Sequence, residues 1–169
     1  EMTDLPEAFR RQLMHETRLH SLKALRTVAG NDGTVKVLFV LNDDKTIEST
    51  LMSYPGTKGR ARYTVCVSTQ VGCPIGCPFC ATGQQGFERN LSPGEIIEQV
   101  LYFVRRFANE TEKGKDRRWL SNVVFMGMGE PLANYDNTKQ AIAMLNSPKG
   151  LGLGIHQITL STSGLVPQI

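Results

Sequence analysis

No part of this sequence is apolar for long. No such run exceeds five residues, the length of Val37–Leu41, far short of the roughly 18 residues a membrane-spanning helix needs, so no membrane partner is expected. The opening EMTDLPEAFRRQL lacks the apolar stretch of a secretory leader. Internal repeats and low-complexity tracts are missing too. With 40% hydrophobic and 21% charged residues, wholesale disorder and collagen-like structure are excluded. Neither sign of charge is in large excess: 19 basic residues face 16 acidic ones, a formal +3. That balance alone does not prove a nucleic-acid partner. Basic residues do bunch at Lys58, Arg60 and Arg62, and again at Arg105, Arg106, Lys113, Lys115, Arg117 and Arg118. Such clusters either face phosphates or form solvated loops. A chain of 169 residues suits one domain, or one with a small appendage, and can bury a real core. It begins with Glu1 and stops at GLVPQI, straight after a strand-like run, so the expectation is a fragment of a longer protein.

Cysteine is scarce, and all four residues crowd between Cys66 and Cys80. A secreted disulfide framework would spread its bridges along the chain. The crowding instead points to a reducing, cytoplasmic setting and to cysteines that do chemistry. The spacing is Cys66-x6-Cys73-x3-Cys77-x2-Cys80, with Gly72, Pro74, Gly76 and Pro78 interleaved. This reads as a loop wrapped around a metal centre. A structural zinc site usually takes two close pairs, whereas the tight group here is a triplet. Three thiolates can hold three irons of a 4Fe–4S cluster. The x3/x2 spacing, with Phe79 just before the last cysteine, resembles the signature of radical-SAM enzymes. There the fourth iron stays open to a substrate ligand. A zinc site closed by Cys66 is the alternative.

Periodicity predicts helices over Leu5–Leu13 and Leu19–Val28, with Gly30 as a stop. Thr34–Leu41 and Thr46–Ser53 alternate and are β-branched, and Asn42-Asp43-Asp44-Lys45 turns between them as a hairpin. A Gly/Pro/basic linker, Tyr54–Arg62, leads to a short strand over Tyr63–Ser68. Ser92-Pro93-Gly94-Glu95 opens a helix with a capping box. That helix reaches about Phe107, with Ile96, Val100 and Phe103 on one face. Further strands are expected over Asn122–Met126 and Gln157–Ser161, with a helix over Tyr135–Leu145 between them. The fold class is α/β: strand, helix, strand, helix, strand in βαβ units with parallel strands. A closed (βα) barrel needs about 250 residues, so a partial barrel is expected. The divisions are 1–30 (the end of a helical accessory region), 31–62 (β-hairpin and linker) and 63–169 (the first part of the barrel, its C-terminal part missing). An incomplete parallel sheet would leave an unpaired edge after its third strand, so the isolated fragment is expected to be poorly soluble.

The stretches CVSTQVGCPIGCPFCATGQQGFERNLSPGEIIEQV, NVVFMGMGEPLANYDN and ITLSTSGLVPQI resemble the RlmN/Cfr family of radical-SAM RNA methyltransferases. The cysteine triplet points to the superfamily, and QQGFERNL and GMGEPL narrow it. The resemblance covers Cys66–Ile169 strongly. It implies a radical-SAM partial barrel and two cofactors, a 4Fe–4S cluster on Cys73, Cys77 and Cys80, and S-adenosyl-L-methionine (SAM). Gly129 and Glu130 would hold the methionine end of SAM, the carboxylate pairing with its ammonium, and Ser161 would contact SAM from the third strand.

In the family, one SAM methylates a cysteine near the C-terminus of the whole protein, and a second gives the radical that activates that methyl group. The carbon adds to an adenine, and a second cysteine helps release the product, a disulfide bond being among the implied features. By resemblance Cys66 is that resolving cysteine, and Glu48 is the residue that accepts the adenine proton. The plainer alternatives are a buried strand cysteine and a solvated strand glutamate.

The implied product is carbon-2 methyladenosine in 23S rRNA and in tRNA beside the anticodon. A Cfr-type carbon-8 enzyme and a non-enzymatic zinc-binding RNA module are the alternatives. A flavodoxin-like electron donor and a monomeric state are also expected. Trp119 is a candidate stacking platform for a base, although a packing role is the simpler reading. His15 and His20 read as exposed helical residues.

Overall fold

The computed structural model describes residues 4–16, 20–55, 61–110 and 120–168, without the side chains of 107–110 and 168. Lys58, Arg60, Lys113, Lys115, Arg117, Arg118 and Trp119 therefore lie outside the described residues. After helix α1 (Glu7–Glu16) come strands β1 (Leu22–Ala29), β2 (Val35–Leu41), β3 (Thr46–Tyr54), β4 (Arg62–Cys66) and β5 (Gln70–Gly72). A four-residue helix α2 (Ala81–Gln84), strand β6 (Phe87–Asn90) and the long helix α3 (Pro93–Glu110) follow. Strand β7 (Leu120–Phe125), helix α4 (Tyr135–Asn146) and strand β8 (Ile158–Leu160) complete the described elements, joined by short 3-10 turns.

Six strands form one sheet in the order β1-β2-β3-β4-β7-β8. Pairing is antiparallel from β1 to β4 and parallel from β4 through β7 to β8. The expected α/β architecture with parallel strands is present. The hairpin β2–β3 is not set apart from the parallel strands, because β3 pairs directly with β4 and carries the sheet across.

One side of the sheet is the core. Ile47, Ser49 and Leu51 of β3 are buried while Glu48, Thr50 and Met52 are only half-buried, the period of two that a one-sided strand requires. Val37, Phe39, Val65, Val123 and Phe125 lie on the buried side. Ile96, Val100 and Phe103 of α3 meet them with no exposed surface, at the spacing of one helical face. The α3 start is the expected capping box: Ser92 N–H donates to Glu95 Oε2 at 2.8 Å, and Glu95 N–H donates to Ser92 Oγ at 3.3 Å.

The second expected helix is a strand instead. Residues 22–29 pair antiparallel with β2, with an irregularity between Ala24 and Arg26. Leu22, Leu25 and Val28 have helical spacing, but this segment has nothing to bury them against: every residue except Leu22 is exposed. Pairing with the free edge of β2 satisfies the backbone instead. Gly30, read as a helix stop, opens the hairpin turn, its N–H donating to Thr34 O at 2.8 Å. His20, read as helical, precedes β1 and bonds Glu98 Oε1 through Nδ1 at 2.9 Å. The two-stranded ribbon β5–β6, which brackets the cysteine loop, was not expected.

Candidate active site

The parallel strands bring their C-terminal ends to one edge. Cys66 pairs with Val124, and Phe125 with Leu160. The chain leaves that edge three times, at Val67, Met126 and Ser161. Active sites of βα architectures assemble at this end.

The first exit runs through β5 into the cysteine loop. Cys73, Cys77 and Cys80 are free, half-buried thiols on this loop. Cys73 N–H donates to Gly86 O at 2.9 Å, and Cys80 N–H to Cys77 O at 3.1 Å. Gln84 Nε2 donates to Pro78 O at 2.7 Å. Gly83 packs so tightly that a Cβ there would stand 2.8 Å from Cys77 N. The loop is thus tied at both ends while its sulfurs stay accessible. The backbone N–H of Gly83, helped by Thr82, outweighs the opposing effect of burial and holds the Cys80 thiol below its ordinary range. Phe79 beside it is 89% exposed. Among the described residues, no three His, Cys, Asp or Glu side chains gather around the position of a single metal ion. Three separate thiols on a tied loop, one already biased toward thiolate, suit ligation of separate irons in a cluster.

The second exit is Gly127-Met128-Gly129-Glu130, which lies on the buried polar run Ser68-Thr69-Gln70. Met128 N–H donates to Ser68 Oγ at 2.9 Å, Thr69 N–H to Met128 O at 2.8 Å, and Glu130 N–H to Gln70 Oε1 at 2.8 Å. Ser68, Thr69 and Gln70 are at most 1% exposed. They support the 127–130 turn, and their sequence signal is a run of polar residues immediately after an apolar strand.

Glu130 is buried and joins the second exit to the third. Its Oε1 accepts from Leu132 N–H at 2.9 Å and from Thr162 Oγ1 at 2.7 Å, and Oε2 accepts from Ser163 N–H at 2.7 Å. Burial alone would raise its pKa; the Ser163 and Leu132 amides and the Thr162 hydroxyl outweigh that and lower it. The Ser163 hydroxyl adds a weaker contribution in the same direction. Ser161 stands exposed at the end of β8, its N–H facing Phe125 O at 3.4 Å.

Cys66 and Glu48 occupy the side of the sheet opposite the helices. Cys66 pairs with Thr50, two residues from Glu48. Burial raises the Cys66 thiol, while the Met126 backbone N–H and the charge of Lys36 oppose the rise. Lys36 was not singled out from sequence. Its Nζ donates to Glu48 Oε2 at 2.8 Å.

This edge can house a cluster that needs three protein thiolates, with a cosubstrate held by strand-end turns. Residues 67–169 match the Radical SAM superfamily, and the chain belongs to that superfamily. Its cofactors are accordingly a 4Fe–4S cluster and SAM, and the zinc alternative falls away.

Within the superfamily, the chain is similar to proteins named as dual-specificity RNA methyltransferase RlmN. It is 48% identical to the probable RlmN of Heliobacterium modesticaldum, matching 100% of this chain and 43% of that protein. It is 47% identical to the RlmN of Anaeromyxobacter sp., again over 100% of this chain and 43% of the relative. A radical SAM methyltransferase from Sphaerobacter thermophilus has a crystal structure that superposes with a TM-score of 0.86 at 45% identity, covering 98% of this chain and 46% of that one. The chain spans just under half the length of these relatives.

Proposed function

We propose that this chain is part of an RNA methyltransferase that adds a methyl group to carbon 2 of adenosine. Its substrates are 23S rRNA and tRNA at the position beside the anticodon. The reading is supported above all by one juxtaposition: Cys66 and Glu48 share a sheet face that ends at the edge carrying the cysteine loop, Glu130 and Ser161. The similarity to RlmN proteins along the whole chain supports it independently.

Cys73, Cys77 and Cys80 hold the cluster. Gly129 and Glu130 receive the methionine end of SAM, the ionised Glu130 carboxylate attracting its ammonium, and Ser161 contributes a hydroxyl. When bound, the cluster and SAM supply the one-electron cleavage that yields a 5′-deoxyadenosyl radical. Glu48 then accepts the proton lost from the adenine carbon, and Cys66 resolves the protein–RNA adduct.

All four cysteines are thereby assigned, so the methyl-carrying cysteine belongs to a part of the protein outside these residues. The target base must leave its stack to reach the site. A flavodoxin-like donor provides the electron, and the protein works as a cytoplasmic monomer. Among the described residues no helix is long and apolar enough to cross a membrane.

The test is mass spectrometry of nucleosides from rRNA and tRNA treated with the intact, cluster-loaded protein. The expected product is 2-methyladenosine. Finding 8-methyladenosine would move the enzyme to the Cfr type, and finding neither would overturn the reading.

A further inference from the structure

The face that carries Cys66 and Glu48 has a third charged side chain to which the proposed reaction assigns no role. Lys36 of β2 stands opposite Thr50 of β3, and Thr50 stands opposite Cys66 of β4. Opposed residues of antiparallel strands point to the same side. Lys36, Thr50 and Cys66 therefore form one row across three strands. Glu48, two residues before Thr50, shares their side, and the Lys36 Nζ–Glu48 Oε2 contact of 2.8 Å fixes one end of it. Adjacent strands lie about 4.8 Å apart, so the Lys36 and Cys66 backbones are separated by about 10 Å. That is about one Debye length at ordinary ionic strength, and the long lysine stem shortens it.

The other groups on this face are few. From β1, Val28 stands opposite Lys36, Arg26 opposite Leu38 and Lys23 opposite Val40, so both of these cations are a strand further from Cys66 than Lys36. On β4, Thr64 and Arg62 share the Cys66 side, with Tyr54 opposite Arg62. Arg62 is a cation four residues from Cys66, about 13 Å along the strand and so further than Lys36, while β7 and β8 contribute the uncharged Asn122, Val124 and Thr159. As an ion pair between side chains 53% and 46% exposed, Lys36–Glu48 adds little stability. Its consequence is positional: it pins both charges over the face that contains Cys66.

We propose that Lys36 is a positioning residue for the same reaction: its ammonium aims the Glu48 carboxylate and places positive charge beside the Cys66 sulfur. The inference rests on the assignment of Cys66 and Glu48 above. It accounts for how a cysteine set into a sheet stays reactive. It also accounts for how a flexible glutamate is held where an adenine proton would leave.

The test measures alkylation of Cys66 by iodoacetamide in the cluster-loaded protein, read by peptide mass spectrometry while the cluster shields the other three cysteines. Lys36→Met is expected to slow Cys66 alkylation near pH 7 by about three- to tenfold and to move its pH profile upward. Lys36→Arg restores the wild-type profile. Glu48→Gln, which frees the Lys36 charge, speeds alkylation. In RNA methylation, Lys36→Met lowers kcat with little change in KM for RNA. An unchanged Cys66 profile in a folded Lys36→Met protein overturns the inference, whatever its methylation rate. A shifted profile in a protein that methylates no RNA upholds the effect of Lys36 on Cys66 and overturns the functional reading instead.

Discussion

Gly129 and Gln70 touch with no room for a side chain between them. A Cβ on residue 129 would stand 2.6 Å from the Gln70 Cβ and 2.8 Å from its backbone nitrogen, at a φ of +99°. The same Gln70 receives the Glu130 N–H through Oε1. The strand-end turn is thus seated on the segment that leads into the cysteine loop. Gly129→Ala must lift the turn off that seat and also strain the backbone, at a cost of about 1–3 kcal/mol. The expected result is a melting temperature lower by several degrees and SAM binding weakened at least tenfold, measured by thermal denaturation and calorimetry. Wild-type values for both would show that the contact does not matter.

Glu130 is held ionised by donors from Leu132, Thr162 and Ser163, so it links stability to pH. Its folded pKa lies below the ordinary value of 4.5. A depressed carboxylate contributes stability that is fully present above the unfolded pKa and is lost as pH falls through the folded one. Glu130→Gln removes the charge and turns a donor toward the Thr162 and Ser163 donors, costing about 1–3 kcal/mol at pH 7. Urea midpoints between pH 3 and pH 7 are the measurement. The gap between wild type and variant is expected to be widest near neutrality and to close below about pH 4.5. A gap that stays constant with pH would refute the linkage.

The elements that build this candidate site were legible because each is local. The cysteine triplet, the glycine-rich turn and the Ser161 loop are each contiguous, and each sits where a strand ends. The β2–β3 hairpin announced itself through alternation, as the α3 start did through Ser92 and Glu95. What failed was non-local. Leu22–Ala29 has helical spacing, and only the free edge of β2 makes it a strand. The turn feeding it carried a signal of its own: Asp32 Oδ1 accepts from Thr34 N–H at 2.9 Å, and Gly33 adopts a φ of +81°. Lys36 was invisible for the same reason. Its partner Glu48 is twelve residues away, and its relation to Cys66 exists only once three strands are in register.

Arg89 ties three elements together near the cysteine loop. Its Nη1 and Nη2 donate to both oxygens of Glu95 at 3.0 and 2.9 Å, and Nε donates to Asp43 Oδ2 in the β2–β3 turn at 2.6 Å. Lys45 of the same turn pairs with Glu88 of β6. The fork on Glu95 is the stronger half, because Glu95 is nearly buried and also belongs to the helix cap. Arg89→Ala and Arg89→Lys are both expected to destabilise by about 1–3 kcal/mol, since an ammonium cannot make the two-pronged contact. Asp43→Asn, on the exposed side, is expected to cost well under about 1 kcal/mol. Chemical denaturation of the three variants gives the order directly. An Asp43 variant as damaged as the arginine variants would contradict this division.

Cys66 and Cys77 should fail in opposite ways, and the contrast separates resolving from ligating cysteines. Cys66 lies within the sheet, paired with Thr50 and Val124, whereas Cys77 lies on the tied loop. Cys77→Ala is expected to lose the brown colour and the broad cluster absorbance after anaerobic reconstitution, and with them SAM cleavage. Cys66→Ala is expected to keep the absorbance and to cleave SAM, yet to release no methylated RNA. With no thiol to resolve it, the protein–RNA adduct should persist as a denaturant-resistant, nuclease-sensitive band on a gel. Loss of the cluster in Cys66→Ala would instead make this residue a ligand and return the site to a four-cysteine centre. Normal RNA methylation by Cys66→Ala would remove the residue from the reaction altogether.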